Sequence, residues 1–330
     1  MTEVFQPMLH TALTAGVIYL SPRSVRTPRW IAGVLWITVC TGAACVSRGL
    51  SETVLAWALA FAPFLLTGVF GHPLKLDAVA SLFFFPAQSR LANAFDHGPL
   101  LPLTLLLNSH LGALVAARLL ASLPLDAATS ARPWITLLAL LAAGWSAAHA
   151  FFESRPRRVL ARLIAGQGAL LLAGLASGTL VGAAGANALW QAAAVASTML
   201  ACVCVGLQAR MGPAADRPGF LGLAARAPRL AVFFAVAAFS LADLPLTMGF
   251  PAAELLLLGV LDIGPAGMLL PAVSALNAFV VVRLFARLFW GRPLDAARDM
   301  PDALPRERWV LSAALLYLAF GGLFPSALLP

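Results

Sequence analysis

Long apolar segments constrain the fold of this chain more than any other feature of its sequence. A helix needs about 20 apolar residues to cross the hydrocarbon core of a bilayer. Lipid offers no partners to unpaired backbone groups, so helices are the expected spanning elements. The sequence therefore predicts an all-α polytopic membrane protein with about ten spans, at residues 6–20, 30–47, 53–70, 99–122, 134–152, 159–182, 185–207, 229–262, 264–287 and 309–328.

The composition excludes a soluble domain and a nucleic-acid-binding function. Of the 330 residues, 61% are hydrophobic and 11% are charged, whereas soluble domains carry about 25% charged residues. The net charge of +8 comes almost wholly from arginine, which in a membrane protein marks cytoplasmic loops. The four cysteines lie in apolar runs without metal-ligand spacing, so no metal or cofactor is expected.

The arginines predict the orientation of the chain. If the N-terminus is outside, four clusters fall on the cytoplasmic side: Arg23 to Arg29, Arg155 to Arg162, Arg210 to Arg229, and Arg287 to Arg308. The first apolar run lacks the basic start and cleavage site of a signal peptide, so we expect it to be retained as a helix. Both termini are then expected on the periplasmic side of a bacterial inner membrane.

This orientation requires that residues 78–94 do not cross the membrane. The segment has about ten apolar residues before Pro86, too few to span, which fits a re-entrant half helix. An amphipathic helix at the membrane interface is the alternative.

A second break is expected within 229–262, a run too long for one straight helix. Pro245 cannot donate a backbone hydrogen bond and crowds the preceding turn, and Gly249 adds backbone freedom. One break in each half of the chain is typical of transporters built from repeated halves with discontinuous helices.

Five segments carry a family resemblance through their order and spacing: FPAQSRLANAF (85–95), SRPRRVLARLIAGQG (154–168), GLAARAPRLAVFFAVAAFSLADLPLTMGF (222–250), RLFARLFWGRP (283–293) and RERWVLSAALLYLAFGGLFPSALL (306–329). Together they resemble the antiporter-like membrane subunits of respiratory complex I. The same family occurs in multi-subunit Na⁺/H⁺ antiporters, membrane-bound hydrogenases and inorganic-carbon uptake systems. The resemblance implies one membrane domain over 1–330, with a shortened, weakly matching part at 1–98 and an antiporter-like core at 99–330.

The family's proton path is largely missing from this sequence. That path uses buried lysine, glutamate and histidine side chains, whose charge is costly in the membrane and responds to neighbouring charges. The positions that match the family's glutamate, first-break lysine, central histidine, central lysine and terminal lysine or glutamate are here Ala58, Ser81, Gln191, Val195 and Ala253. The resemblance also implies a cytoplasmic basic pair outside the path, and this pair is retained as Arg157 and Arg158.

Four polar residues are candidates for a rerouted ion path: Asp243, Glu254, Asn108 and His110. Asp243 stands where the family has glycine, and it either forms an ion site or caps the second half helix. Glu254 either pairs with an arginine of a partner subunit or lies solvated at a helix end. His110 is either a packing residue or a relay member.

Two functions follow. The first is a degenerate, non-pumping subunit that acts as scaffold or coupler in a larger ion-translocating or redox-coupled complex. Its partners would be other membrane subunits, including homologous ones, against which the small residues of 161–187 would pack closely. The second is a genuine proton or sodium translocator that uses the four candidates. The chain is not expected to be catalytic alone, although it could belong to an NADH:quinone oxidoreductase-like complex. A polytopic membrane enzyme is a third interpretation, although no motif in the sequence indicates which reaction it would catalyse.

Overall fold

The computed structural model describes residues 2–66, 69–70, 94–96, 98–216, 219–293 and 300–328. In these ranges the chain forms α-helices and short 3₁₀ turns and no strand. Except for Ala94, the half helix predicted at 78–94, including Ser81 and Pro86, lies outside the described residues.

The α-helices of the described ranges are α1 (Thr2–Leu20), α2 (Pro28–Val46), α3 (Leu50–Ala60), α4 (Ala62–Leu65), α5 (Leu100–Asn108), α6 (Leu111–Ala121), α7 (Leu125–Phe152), α8 (Pro156–Ser177), α9 (Leu180–Met211), α10 (Pro228–Leu241), α11 (Gly249–Leu261), α12 (Leu269–Phe289), α13 (Pro305–Leu323) and α14 (Pro325–Leu328).

The described part of the chain has six helical segments long and apolar enough to cross a membrane, at 28–46, 100–121, 125–152, 156–177, 180–211 and 265–289. The expectation of an all-α polytopic membrane protein is confirmed, but the count of about ten spans is not. In place of the span predicted at 53–70, for example, the structure has α3 and the four-residue α4.

Helix α9 forms the centre of the fold. Every residue from 188 to 201 is buried, which identifies α9 as a helix that is apolar all round and enclosed by others. It packs against α5, α8, α10 and α11. Ala-rich sequence suits this position, because small side chains let helix backbones approach closely within a membrane.

The glycines of 161–187 are used inside the molecule. A Cβ on Gly185 would lie 2.8 Å from the Cα of Leu256 in α11, and a Cβ on Gly174 would also meet the side chain of Leu256. The small residues that the sequence assigned to contacts between subunits therefore include several that join α8, α9 and α11 of this chain.

Helix α8 contacts two helix breaks. The break predicted near Pro245 is confirmed, since α10 ends at Leu241 and α11 begins at Gly249. The span predicted at 99–122 is present at 100–121, but it is interrupted, because α5 ends at Asn108 and His110 adopts a left-handed conformation with φ 44° before α6 begins. Gln167 of α8 donates to the carbonyl of Leu241 at one break, and the adjacent Gly168 lies against His110 at the other.

Candidate functional site

The second break is built by a C-terminal cap on α10. The Ala242 N–H donates to the Ala238 carbonyl at 3.1 Å, and the Leu244 N–H reaches back to the Phe239 carbonyl at 3.0 Å. Between them Asp243 has φ 56°. This pattern of bonds ends helices with one left-handed residue, which is most often glycine and sometimes asparagine. Asp243 therefore occupies a position whose backbone conformation favours glycine.

The second half helix starts from a different set of contacts. Its N-cap is Met248, which makes no side-chain capping hydrogen bond and whose N–H donates to the Leu318 carbonyl of α13 at 2.9 Å. Gly249 packs directly on the backbone carbonyl of Ser240. The interpretation of Asp243 as the cap of the second half helix is wrong, because Asp243 belongs to the end of the first half.

The Asp243 carboxylate is buried and only partly paired. Its Oδ2 accepts a hydrogen bond of 2.6 Å from the Ser274 hydroxyl of α12. Its Oδ1 is buried and has no hydrogen-bond partner in the described part of the chain, and the same holds for the Ser240 hydroxyl and for Oε1 of Gln167. The Gln167 amide Nε2 donates to the Leu241 carbonyl at 3.1 Å. Three side-chain oxygens without donors thus accompany this one break.

Asn108, at the break between α5 and α6, has both of its side-chain polar atoms hydrogen-bonded. Its Nδ2 donates to the Ala194 carbonyl at 3.1 Å and to the Thr198 hydroxyl at 2.9 Å, while its Oδ1 accepts from the Ser197 hydroxyl at 2.6 Å. Asn108 therefore fastens the end of α5 to α9. His110, two residues later, is buried, and its Nε2 has no partner among the described residues.

The two positions predicted to match the family's central histidine and lysine lie inside α9, and neither side chain can take up or release a proton near neutral pH. Gln191 is 1% exposed, and its Oε1 accepts a 2.8 Å hydrogen bond from the Tyr317 hydroxyl of α13. Val195 is 2% exposed and belongs to the main apolar cluster. Because α9 is enclosed on all sides, these positions face other helices rather than lipid.

The remaining candidates do not gather at either break. Ala58 lies on the exposed side of α3, and Ala253 is half-buried on α11. Glu254, beside Ala253, is exposed. The structure thus brings Asp243 to a break and leaves Glu254 on the outer surface of the helix bundle.

The basic pair Arg157 and Arg158 forms hydrogen bonds with Asp96 and Gly98, which precede α5. Arg157 donates to the carbonyls of Asp96 and Gly98 at 3.0 and 2.8 Å, and Arg158 Nε donates to the Asp96 carboxylate at 2.5 Å. Arg155 contacts the same carboxylate at 2.6 Å. The sequence did not single out Asp96, although an acidic residue at the end of the weakly matching segment 85–95 was the available signal.

Within the described ranges, no group of three or more His, Cys, Asp or Glu residues is arranged to hold a metal ion. The titratable side chains at the two breaks, His110 and Asp243, are instead single residues, one at each break.

Comparison with known proteins assigns the family. The family model described as "NADH:quinone oxidoreductase/Mrp antiporter, TM" matches residues 31–277, about three-quarters of the chain. The chain belongs to this family. It is an antiporter-like membrane subunit, as the motif order in the sequence indicated.

A curated relative supports the same assignment. NADH-quinone oxidoreductase subunit N of Herminiimonas arsenicoxydans is 30% identical over 210 residues, which cover 59% of this chain and 41% of the relative. The chain thus matches about two-fifths of the length of that relative.

Solved structures share the fold. A chain of the Mrp complex from Dietzia sp. DQ12-45-1b has a TM-score of 0.81 at 16% identity, over 99% of this chain and 81% of that chain. A chain of the archaeal membrane-bound sulfane sulfur reductase also scores 0.81, at 14% identity, over 98% and 64%. A chain of respiratory complex I from Thermus thermophilus scores 0.67 at 22% identity, over 98% and 71%.

Proposed function

We propose that this chain is a non-pumping antiporter-like subunit that acts as scaffold or coupler in a larger membrane complex. The observation that carries the proposal is the state of the two central relay positions in α9. Gln191 is hydrogen-bonded to Tyr317, and Val195 is packed in the apolar core.

Neither side chain can replace the histidine and lysine of the family. A relay needs groups that bind and release a proton as neighbouring charges change, and an amide or an isopropyl group does neither. A wet gap at Val195 would also need polar partners for its waters, whereas the polar side chains one helical turn away are bonded to protein, Gln191 to Tyr317 and Thr198 to Asn108.

The exposed surface supports assembly with other membrane subunits. Glu254 is the sixth residue of α11, whose N-terminus lies at the break and whose C-terminus leads into the loop at Asp262. Side chains on a helix lean towards its N-terminus, so the carboxylate leans towards the membrane centre, where a bare charge is costly. A basic side chain of a neighbouring subunit would remove that cost.

The neighbouring subunits are proposed to include homologous antiporter-like chains. The similar proteins are named as parts of an NADH-quinone oxidoreductase, an Mrp complex and a membrane-bound sulfane sulfur reductase. We also propose a location in the bacterial inner membrane, and the distribution of arginines supports periplasmic termini. A role within an NADH:quinone oxidoreductase-like translocase follows as part of the same proposal, with the redox chemistry carried by other subunits.

The alternative is a translocator with a rerouted path, which the buried and unpartnered atoms of Asp243 and His110 favour. Gentle extraction of the tagged chain from its native membrane tests the scaffold directly. We expect it to elute with other membrane subunits, and recovery as a stable monomer would contradict the proposal.

Ion flux separates the two functions. The chain alone, reconstituted in liposomes beside a conducting member of the same family, should pass protons and sodium no faster than empty liposomes. Gradient-driven flux that Asp243→Asn or His110→Gln abolishes would establish the rerouted path instead.

A further inference from the structure

We propose that Asp243 binds one monovalent cation, a proton or Na⁺, at the C-terminal end of α10. The inference goes beyond the scaffold function, because a cation held at one break requires no path across the membrane. The site comprises the Asp243 carboxylate, the Ser240 hydroxyl and the Gln167 side-chain oxygen, together with the end of α10.

The backbone conformation alone does not account for an aspartate at this position. A left-handed residue after a helix is favourable for glycine and tolerable for asparagine or aspartate, and of these only aspartate brings a charge. Aspartate adds a negative charge at the negative end of the α10 dipole, an unfavourable arrangement. The carboxylate must therefore be stabilised by something that the helix end does not supply.

The described surroundings supply one hydrogen bond and no cation. Ser274 donates to Oδ2, whereas Oδ1 has no donor, and no arginine or lysine of the described ranges forms an ion pair with Asp243. An ionised carboxylate that is 9% exposed and unpaired would carry a large desolvation cost. A bound proton or metal cation removes that cost.

The other unpaired atoms at the break are oxygens with free lone pairs, as a cation requires, and the Ser240 hydroxyl can turn its proton away. Ser240 and Gln167 are each 1% exposed, and each leaves an oxygen without a donor. Oxygen donors at the C-terminal ends of broken helices are the groups that coordinate Na⁺ or protons in membrane transporters with discontinuous helices. A proton on Oδ1 would equally convert that atom from an acceptor into a donor.

The side chains that the neighbouring helices bring to the site are neutral, so its charge comes from Asp243. Helix α8 presents the neutral Gln167, and α12 presents Ser274. Of the charged groups on the adjoining helices α12 and α13, Arg283 lies over the Phe151 ring and Glu307 pairs with Arg210. His110 lies against Gly168, Tyr317 bonds Gln191, and Glu254 is on the outer surface of α11.

The test uses the full chain together with the subunits that copurify with it. Radiolabelled Na⁺ binding is measured at constant ionic strength, with an organic cation replacing Na⁺, and the carboxylic acid C=O band is recorded by infrared difference spectroscopy over pH. Asp243→Asn keeps the side-chain shape. Asp262→Asn, at the exposed end of α11, is the matched control.

Two results support the proposal and identify the cation. Saturable binding of one Na⁺ per chain, lost in Asp243→Asn and kept in Asp262→Asn, assigns Na⁺. A protonated carboxyl band that Asp243→Asn removes and Asp262→Asn keeps, without Na⁺ binding, assigns the proton.

The proposal would be overturned if neither result appeared while Asp243→Asn folded and assembled like the wild type. The liposome flux assay is independent of this outcome. Flux without binding at Asp243 contradicts the scaffold function and the site together, whereas binding without flux supports both.

Discussion

The contact between the two half helices predicts the effect of a single methyl group. In Gly249→Ala the new Cβ would lie 2.9 Å from the Ser240 carbonyl carbon and closer still to its oxygen, whereas ordinary contacts begin at 3.4 Å. Both atoms belong to backbone, so no side chain can turn aside. Overpacking of this kind costs about 1–3 kcal/mol. The half helices must move apart, which also lengthens the bond of 2.9 Å from the Met248 N–H to Leu318.

Thermal unfolding in mild detergent, followed by size-exclusion chromatography, measures this loss. Gly42→Ala in α2 is the matched control, because its nearest neighbour, the Cβ of Pro7, would be 3.9 Å away. Alanine should there raise stability slightly through its helix propensity. If Gly249→Ala melts at the wild-type temperature while remaining assembled, the close crossing of α10 and α11 is not a constraint on this fold.

Four further substitutions have defined outcomes. Tyr317→Phe should lower the free energy of unfolding by about 1–3 kcal/mol, because it leaves a buried amide oxygen of Gln191 without its donor, and adding Gln191→Leu should recover most of the loss in the same melting assay. Glu307→Gln should cost about 3–5 kcal/mol, since the paired Arg210 side chain is 8% exposed; an unchanged melting temperature would contradict this. Asp96→Ala should increase proteolysis near residue 96 by removing the carboxylate that Arg155 and Arg158 share, whereas Asp262→Ala should not. Glu254→Gln should weaken association with neighbouring subunits on blue native gels, while Glu52→Gln, at the start of α3, should leave it unchanged.

The sequence predicted the second break because its cause is local. Pro245 and Gly249 act through their own backbone chemistry, so the interruption between Leu241 and Gly249 was readable without a structure. The break at Ser109 and His110 has no proline. It rests on tertiary contacts, with Asn108 bonded to α9 and His110 against Gly168 of α8. Hydropathy alone predicts a continuous span for an apolar run whose interruption depends only on tertiary packing.

The role of Asp243 was also undetermined by sequence, for a related reason. Aspartate is favourable at a helix N-cap and tolerable in a left-handed C-terminal cap. The choice depends on where the first half helix ends. That end is set by the bond from Leu244 to Phe239, which no residue pattern specifies. The side of α11 that Glu254 occupies depends in the same way on which face packs against α9.

The helix breaks and the predicted loss of the relay residues have separate physical causes. An unwound backbone at membrane depth persists only where protein or water satisfies its polar groups. Here protein does so, through Gln167 donating to Leu241 and Met248 donating to Leu318. These bonds use backbone atoms and one amide, and none depends on a lysine or glutamate of the family's proton path. A chain can therefore lose the titratable residues and keep both broken helices. The breaks indicate the architecture that the family shares. Whether a chain can carry protons depends instead on which titratable side chains it has at each position.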